Sequence, residues 1–123
     1  MSKSILIADD SAEMRLMARK VVESMPGFAV CGEAADGVEA VEKARELAPD
    51  LVILDLAMPR LNGFEAARAL RATGSRVPII LFTLHADVVS PVQASAAGID
   101  AVVAKIGGCG ALAIQVERLL AVA

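Results

Sequence analysis

Aromatic residues are nearly absent from the 123-residue sequence, because tryptophan and tyrosine do not occur and phenylalanine occurs three times. The sequence is nevertheless 56% hydrophobic. Aliphatic side chains and methionine must therefore fill the core, and their size suits helices that pack closely on a sheet. A chain of this length can bury a substantial core as one domain, so we expect residues 1–123 to form a single domain.

A basic surface is also lacking, since the formal net charge is -3. Proteins that bind nucleic acids need a concentrated positive face, so we expect no direct contact with nucleic acid. Cys31 and Cys109 have neither metal-site nor redox-motif spacing, and we expect reduced thiols in a cytoplasmic protein. Residues 4–8 are too few for a signal peptide, and no apolar run approaches the roughly 20 residues of a membrane-spanning helix. We therefore expect no membrane contact.

Five apolar runs alternate with five segments of helical periodicity. The runs predict strands over residues 4–8, 28–33, 51–55, 77–82 and 100–104. Unbroken apolar strands are typical of parallel sheets that helices cover on both faces, and the strand–helix alternation predicts a doubly wound α/β fold. Gly32 interrupts the second run, so we expect that strand at an edge of the sheet.

The first three helices begin with a capping signal. Asp10, Asp36 and Asn62 each precede a glutamate by three residues, which is the spacing of a capping box. In that motif the first side chain accepts a hydrogen bond from the helix backbone, and the glutamate bonds back to the capping residue. The pattern therefore predicts helices capped by residues 10, 36 and 62.

The start of the fourth helix has two interpretations. Ser90 before Pro91 predicts a helix over residues 91–97, preceded by a long connection from Thr83. Alternatively, the helix starts near Asp87, with Pro91 tolerated in its first turn. Residues 106–110 contain three glycines and predict a flexible connector before the last helix.

Polar side chains follow four of the five predicted strands. Asp9 and Asp10 follow the first strand, Asp55 ends the third, Thr83 follows the fourth and Lys105 follows the fifth. In a doubly wound sheet, ligands bind beyond the carboxyl ends of the strands, where the winding direction reverses. Taken singly, these residues have simple structural explanations, such as a helix cap, a strand end, a turn hydroxyl and a solvated lysine. Together they predict a polar site at one edge of the sheet.

Three carboxylates at this edge would repel one another. Two unit charges about 4 Å apart repel by about 4 kcal/mol at an effective dielectric constant of about 20. Lys105 offsets one of the three negative charges, and the remaining two suit a divalent cation. An all-oxygen, incomplete ligand set favours Mg2+. Mg2+, a lysine and a hydroxyl are the groups that phosphoryl transfer uses, and a carboxylate can be the covalent acceptor.

With these residues in place, the sequence resembles the receiver domain of two-component response regulators. The matching residues are the Asp9–Asp10 pair, Asp55 within LVILDLAMPRLNG, Thr83 and Lys105. The resemblance covers essentially the whole chain. It implies a flavodoxin-like, three-layer (βα)5 fold whose five parallel strands have the order 2-1-3-4-5. It also implies a bacterial phosphoprotein that is switched by phosphorylation.

The resemblance further implies a role for each residue of the site. Asp55 would accept a phosphoryl group from a sensor histidine kinase or a phosphotransfer protein, forming 4-aspartylphosphate. Asp10, Asp55 and the backbone carbonyl of Ala57 would hold Mg2+, and Asp9 would reach the ion directly or through water. Thr83 and Lys105 would bind the phosphoryl oxygens. The chain would then be a signalling domain that catalyses only its own phosphorylation and dephosphorylation, and not an enzyme in the wider sense.

Two positions depart from the family pattern. Receivers usually carry tyrosine or phenylalanine three residues before the lysine, where this sequence has Val102, and often proline after it, where this sequence has Ile106. The family couples rotation of that aromatic ring to movement of the threonine. Because Val102 has no ring, our hypothesis is that switching here runs mainly through Thr83 and the loop to Ser90. A cis bond before a residue other than proline costs about 3 kcal/mol, so we expect a trans bond between Lys105 and Ile106.

Three other functions compete with this one. A pseudo-receiver, meaning a phosphorylation-independent protein-interaction domain, stays open because of Val102 and Ile106. A haloacid-dehalogenase-like phosphatase would need a second acid two residues after Asp55, where Ala57 stands. A dinucleotide-binding domain would need a G-x-G-x-x-G motif after the first strand, and none follows it. The resemblance implies a partner surface on the fourth helix, fifth strand and fifth helix, and leaves the effector and homodimerisation through that face open.

Overall fold

The structure, a computed structural model, describes residues 2–107 and 109–121. Its strands are β1 (Lys3–Ala8), β2 (Phe28–Ala34), β3 (Leu51–Leu54), β4 (Ile79–Thr83) and β5 (Ala101–Ala104). Its α-helices are α1 (Ala12–Glu23), α2 (Gly37–Leu47), α3 (Gly63–Ala72), α4 (Pro91–Ala96) and α5 (Cys109–Leu120), and a 3-10 turn spans Ala86–Val88. None of the helices in these two ranges is long and apolar enough to cross a membrane.

The five strands form one parallel sheet in the order β2-β1-β3-β4-β5. The predicted doubly wound fold, its strand order and the edge position of β2 are confirmed. β4 begins two residues later than predicted, because Pro78 has no N–H to donate and contributes only its carbonyl, which accepts from the Val52 amide at 2.9 Å. β5 begins one residue late, and the carboxylate of Asp100 accepts from the Ile79 amide at 2.8 Å.

Each face of the sheet has its own apolar core. Ile5 and Ile7 point to the face that α1 and α5 cover, whereas Leu6 and Ala8 point to the face that α2, α3 and α4 cover. Successive strand residues alternate between faces, so unbroken apolar strands supply both cores. The second face receives mostly alanines from its helices, which brings helix and sheet backbones close together. The buried apolar side chains that the helices contribute to that face are those of Ala40, Ala44, Ala66, Ala67, Leu70 and Ala94.

The helix caps were predicted correctly except at α1. Ser11, and not Asp10, caps α1, because the Ser11 hydroxyl accepts from the Met14 amide at 3.3 Å. Both residues are good caps, and the helix begins one residue later than the Asp10–Glu13 pattern indicated. Asp36 caps α2 as predicted, and Asn62 caps α3 in a complete capping box with its glutamate. Because Ser11 is the cap, the carboxylate of Asp10 is not the group that caps α1.

The prediction of α4 was correct in one of its two forms. Ser90 caps α4, with its hydroxyl accepting from the Val92 and Gln93 amides, so the alternative start near Asp87 is wrong. The long connection from β4 contains the 3-10 turn instead. The predicted connector over residues 106–110 is too long, because α5 already begins at Cys109. Gly108 lies outside the described residues.

The edge strand β2 contains one extra residue relative to β1. Ile5 pairs with Val30 and Leu6 pairs with Gly32, so Cys31 lies between two paired positions as a bulge. Cys31 is a free, half-buried thiol, and burial raises its pKa. Cys109 is also free and is exposed, in line with the expected reduced thiols.

Two arginines of α1 hold a single glutamate of β2. Arg15 Nε lies 3.0 Å from Glu33 Oε1, and Arg19 Nη2 lies 2.7 Å from Glu33 Oε2. The hydrogen bond from Arg19 lowers the pKa of Glu33, and that from Arg15 lowers it further, while partial burial opposes both. The pKa of Arg19 is raised in turn by its hydrogen bond to Glu33. The pairs fasten α1 to the edge of the sheet.

We predict that Glu33→Gln destabilises the protein by about 0.5–1 kcal/mol at neutral pH, the range of partly exposed ion pairs. The folded-state pKa of Glu33 is lowered, so the pairs stabilise the fold above the ordinary glutamate pKa of about 4.3 and lose that effect as pH falls through the lower folded-state value. The difference between variant and wild type should therefore narrow in acid. Urea unfolding at several pH values measures it.

Glu42→Gln is the control, because Glu42 is exposed and has no ion pair within residues 2–107 and 109–121. It should change the free energy of unfolding little at any pH. A loss at Glu33 that stayed constant down to the acid limit of folding would show that packing, and not charge, is responsible.

Candidate functional site

Adjacent strands deliver two of the predicted carboxylates side by side. β1 and β3 are neighbours in register, with Ala8 opposite Leu54, so Asp9 and Asp55 are the next residues of the two strands. The amide of Asp55 donates to the Ala8 carbonyl at 2.9 Å, and the amide of Asp9 donates to the Ala34 carbonyl at 3.0 Å. The sheet hydrogen bonds therefore continue to the carboxylate positions and fix their backbones.

The three acidic residues form one cluster. Asp9, Asp10 and Asp55 each offer a carboxylate oxygen, and these oxygens lie within 4.8 Å of one another. Asp9 and Asp55 are 4% and 6% exposed, whereas Asp10 is exposed. The cluster therefore has a buried floor and an open side where a ligand from solvent can reach it.

Lys105 enters the floor of this cluster. Its Nζ lies 2.6 Å from Asp9 Oδ2 and 3.3 Å from Asp55 Oδ1, and its side chain is only 3% exposed. The backbone amide of Lys105 donates to the Thr83 carbonyl at 2.9 Å, which continues the pairing of β4 with β5. The bond from Lys105 to Ile106 is trans, as predicted. The lysine thus reaches two carboxylates without the proline that usually follows it in the family it resembles.

The charges of the site are not balanced. Burial raises the pKa of Asp55 above its ordinary value, and the negative charge of Asp9 raises it further, while Lys105 lowers it in part. Three acids and one lysine leave two negative charges when all are ionised. Oxygen ligands with this net charge suit a hard divalent cation such as Mg2+, so the residues present fit the predicted metal.

The loop after β3 packs tightly against the end of that strand. Ala57 is exposed in this turn and Met58 is buried. Gly63, at the start of α3, donates its amide to the Leu56 carbonyl at 2.9 Å. A Cβ at Gly63 would lie 2.5 Å from the Asp55 carbonyl oxygen, so only glycine lets α3 start this close to the site.

Thr83 is fully buried at the end of β4, the strand next to β3. Its Oγ1 accepts a hydrogen bond from the His85 amide at 3.0 Å, which leaves the hydroxyl proton available for a further acceptor. His85 immediately precedes the 3-10 turn. The Thr83 hydroxyl is therefore hydrogen-bonded to the first part of the connection between β4 and α4.

A groove lies beside Val102, between the 3-10 turn, α4 and β5. It has a volume of about 490 Å³ and is lined mainly by small apolar side chains. Its walls include Ala86, Val89 and Ala94, and Val102 of β5 lies at its base. Because the valine is half-buried and short, this space is not filled by a side chain from β5.

Three supports of the site were not predicted from the sequence. The Ser11 amide donates to Asp9 Oδ1 at 2.9 Å, and Arg15 Nη1 donates to the Asp9 carbonyl at 2.7 Å. Gly63 makes room for the Asp55 carbonyl. The role of Ser11 is hidden in the sequence by the adjacent Asp10, which is an equally good cap. The contact of Arg15 depends on the rotation of α1 and has no sequence signal.

Comparison with known proteins points to one family. A family model described as the response regulator receiver domain matches residues 5–117. The chemotaxis protein CheY of Thermotoga maritima is 38% identical over 98 residues, which cover 80% of this chain and 81% of that protein. A protein-glutamate methylesterase/protein-glutamine glutaminase of a Nocardioides species is 35% identical over 117 residues. That match covers 94% of this chain but 32% of the relative, so the chain spans about a third of its length.

Solved structures give the same result. The response regulator domain of Thermotoga maritima CheB superposes with a TM-score of 0.84 at 30% identity, covering 97% of this chain and 94% of that one. A two-component response regulator of the LuxR family from an Aurantimonas species reaches a TM-score of 0.89 at 34% identity, covering 98% and 86% of the two chains.

We predict that Asp55→Asn raises the unfolding temperature of the metal-free protein by a few degrees at neutral pH. The folded-state pKa of Asp55 is raised, so the loss of stability begins as pH rises above the ordinary aspartate pKa of about 3.9 and is complete above the higher folded-state value. The gain should therefore shrink as pH falls. Thermal unfolding in chelator, followed by circular dichroism, measures it.

The control is Asp87→Asn, which changes an exposed aspartate of the 3-10 turn and should leave the unfolding temperature nearly unchanged. Added Mg2+ should stabilise the wild type more than Asp55→Asn. Equal gains in the two variants, or a gain at Asp55 that grew in acid, would contradict the charge imbalance of the cluster.

Proposed function

The chain belongs to the response regulator receiver domain family of two-component signalling, and from this we propose that Asp55 accepts a phosphoryl group from a histidine kinase or a phosphotransfer protein. The observation that carries the proposal is the buried Asp55 carboxylate, held between Asp9 and Lys105 at the carboxyl edge of the sheet. We propose further that residues 1–123 are one cytoplasmic receiver domain, which catalyses only its own phosphorylation and dephosphorylation.

Asp10, Asp55 and the carbonyl of Ala57 would hold Mg2+, with Asp9 in contact directly or through water. The close approach of the three carboxylates supports this assignment. When bound, the ion supplies positive charge that offsets the charge on the phosphoryl oxygens. The chain's own residues position Asp55, because its amide is bonded to β1 and its carbonyl lies in the space that the missing side chain of Gly63 leaves.

Transfer would proceed by displacement at phosphorus. An oxygen of Asp55 forms the new bond to phosphorus while the bond from phosphorus to the donor histidine nitrogen breaks, and the electron pair leaves with that nitrogen. Lys105 would bind a phosphoryl oxygen with its ammonium group, and Thr83 would donate its hydroxyl proton to another.

The output would be a change in a protein-binding surface. The face formed by α4, β5 and α5 carries exposed apolar side chains, with Val92 77% and Ile114 64% exposed, and the groove beside Val102 opens near it. We propose this face for an effector protein or for a second copy of the chain. The contact between Thr83 and the His85 amide supplies a route from the site to this face that does not use the side chain of Val102.

Acetyl phosphate with Mg2+ should add the mass of one phosphoryl group to the wild type and none to Asp55→Asn, because only the aspartate can form the acyl phosphate. Intact-mass spectrometry measures the change. Asp50→Asn is the matched control, since Asp50 adjoins the other end of β3 and accepts from the Ser4 amide at 2.7 Å. It should take up the phosphoryl group as the wild type does.

Two results would overturn the proposal. A folded wild type that gained no mass would instead be a pseudo-receiver, and Asp55→Asn gaining the same mass would place the acceptor at another residue. Chelation of Mg2+ should abolish most of the uptake in the wild type.

Phosphorylation, or a beryllofluoride mimic, should shift the amide resonances of residues 84–97, and the His85 amide among the most. The reason is that Thr83 Oγ1 would turn toward the phosphoryl group and release the His85 amide. Thr83→Ala should lose much of this response. Two-dimensional amide NMR measures it, with Thr73→Ala as control because the Thr73 hydroxyl bonds to the Leu70 carbonyl at the end of α3. Unchanged resonances in residues 84–97 of a phosphorylated wild type would refute this route.

A further inference from the structure

Asp9 is held at all of its polar groups by different parts of the chain. Its amide donates to the Ala34 carbonyl of β2 at 3.0 Å. Its carboxylate accepts from the Ser11 amide at 2.9 Å and from Lys105 Nζ at 2.6 Å. Its carbonyl accepts from Arg15 Nη1 at 2.7 Å. The last contact brings in Arg15, a residue to which the resemblance assigns no role.

The Asp9 carbonyl is one half of the peptide group that joins Asp9 to Asp10. A peptide group is planar, so fixing the direction of its carbonyl fixes the plane from which both residues extend. Both carboxylates belong to the acidic cluster. A hydrogen bond to this carbonyl therefore limits the directions in which two of the three acidic side chains can leave the backbone.

Arg15 is itself held rigidly enough to act in this way. Its Nε donates to Glu33 Oε1 at 3.0 Å, and its side chain is only 21% exposed. Glu33 is fixed from its other oxygen by Arg19, and its carbonyl accepts from the Lys43 ammonium group. The planar guanidinium can serve two acceptors at once because its donors have a fixed geometry. Arg15 thus connects the edge strand to the Asp9–Asp10 peptide.

We propose that Arg15 is a positioning residue for the cation site, which fixes the Asp9–Asp10 peptide so that both carboxylates face the cation before it binds. This inference rests on the proposed function and adds a residue to it. Arg15 acts through the peptide group and does not touch the cation or the phosphoryl group. Partners that orient metal ligands typically change metal affinity by about 10–100-fold when they are removed.

Arg19 provides a closely matched comparison. It lies one turn further along α1, carries the same charge and bonds to the same Glu33. Its other partner is Glu23, and not the Asp9 carbonyl. Removing either arginine deletes one positive charge and one bond to Glu33, but only the loss of Arg15 frees the Asp9–Asp10 peptide.

The experiment measures Mn2+ binding by the electron paramagnetic resonance signal of the free ion, followed by displacement with Mg2+. Arg15→Gln should weaken Mn2+ and Mg2+ binding by about 10-fold, whereas Arg19→Gln should stay close to the wild type. Urea midpoints of the two variants should fall by similar amounts, since each loses one bond to Glu33. Equal affinities in the two variants would overturn the proposal, because a general effect of charge or of α1 attachment would then explain both.

Kinetics with acetyl phosphate give a second measurement. Arg15→Gln should raise the Mg2+ concentration at half-maximal rate by about 10-fold, while the rate at saturating Mg2+ recovers most of the wild-type value. A rate that stayed low at saturating Mg2+, with an unchanged half-maximal concentration, would assign Arg15 a role other than positioning and would overturn the proposal.

If Arg15→Gln does not fold, the variants Arg15→Lys and Arg19→Lys repeat the comparison. Arg15→Lys retains the charge, but one ammonium group cannot occupy the positions of both Nη1 and Nε, so it should still bind Mn2+ more weakly than Arg19→Lys. Equal affinities in the lysine pair would overturn the role of Arg15.

The wild type separates this proposal from the proposed function. A wild type that neither binds Mn2+ nor takes up a phosphoryl group overturns the proposed function. A wild type that does both, with equal affinities in the Arg15 and Arg19 variants, overturns only the role of Arg15.

Discussion

The contact between Lys105 and Asp9 is the interaction on which the site depends. It joins side chains 96 positions apart in the sequence, and both are almost completely buried. A buried charge without a partner is strongly destabilising, so each residue stabilises the buried charge of the other. Since Lys105 follows β5 and Asp9 follows β1, the pair also draws the ends of non-adjacent strands together across the edge of the sheet. The ammonium group of Lys105 thus stabilises the buried side of the acidic cluster.

The position of Lys105 also explains why the charge of the cluster remains unbalanced. Lys105 approaches Asp55 less closely than Asp9, at 3.3 Å against 2.6 Å, and burial together with Asp9 raises the pKa of Asp55. A cluster neutralised completely by arginines and lysines would have no affinity for a further cation. The unbalanced negative charge instead lowers the stability of the metal-free protein, as is common for binding sites. Arg15 contacts the Asp9 carbonyl and none of the three carboxylates of the cluster, so it orders the cluster without pairing with its charges.

Most of the fold could be predicted because its signals are local. The apolar runs indicated five buried strands, and the polar residues after them indicated which edge would carry the site. The choice between Asp10 and Ser11 as the cap of α1 could not be made from the sequence, since two good capping residues are adjacent. The contacts of Arg15 and the distances around Lys105 could not be predicted either, because they depend on how α1 is rotated and on how strand ends are spaced in three dimensions.

The bulge at Cys31 determines which way the side chain of Glu33 points, and Glu33 is the residue that pairs with Arg15. In a strand of strict alternation, Val30 and Glu33 would point to opposite faces, because they are an odd number of residues apart. The extra residue places both side chains on the same face, because Val30 pairs with Ile5, Glu33 pairs with Ile7, and these two isoleucines share a face. Glu33 consequently meets α1 and its arginines. A regular strand of the same length would instead pair Glu33 with Ala8 and aim the same glutamate at α2. An irregularity of one amino acid at the margin of the sheet therefore decides which helix can influence the acidic pair.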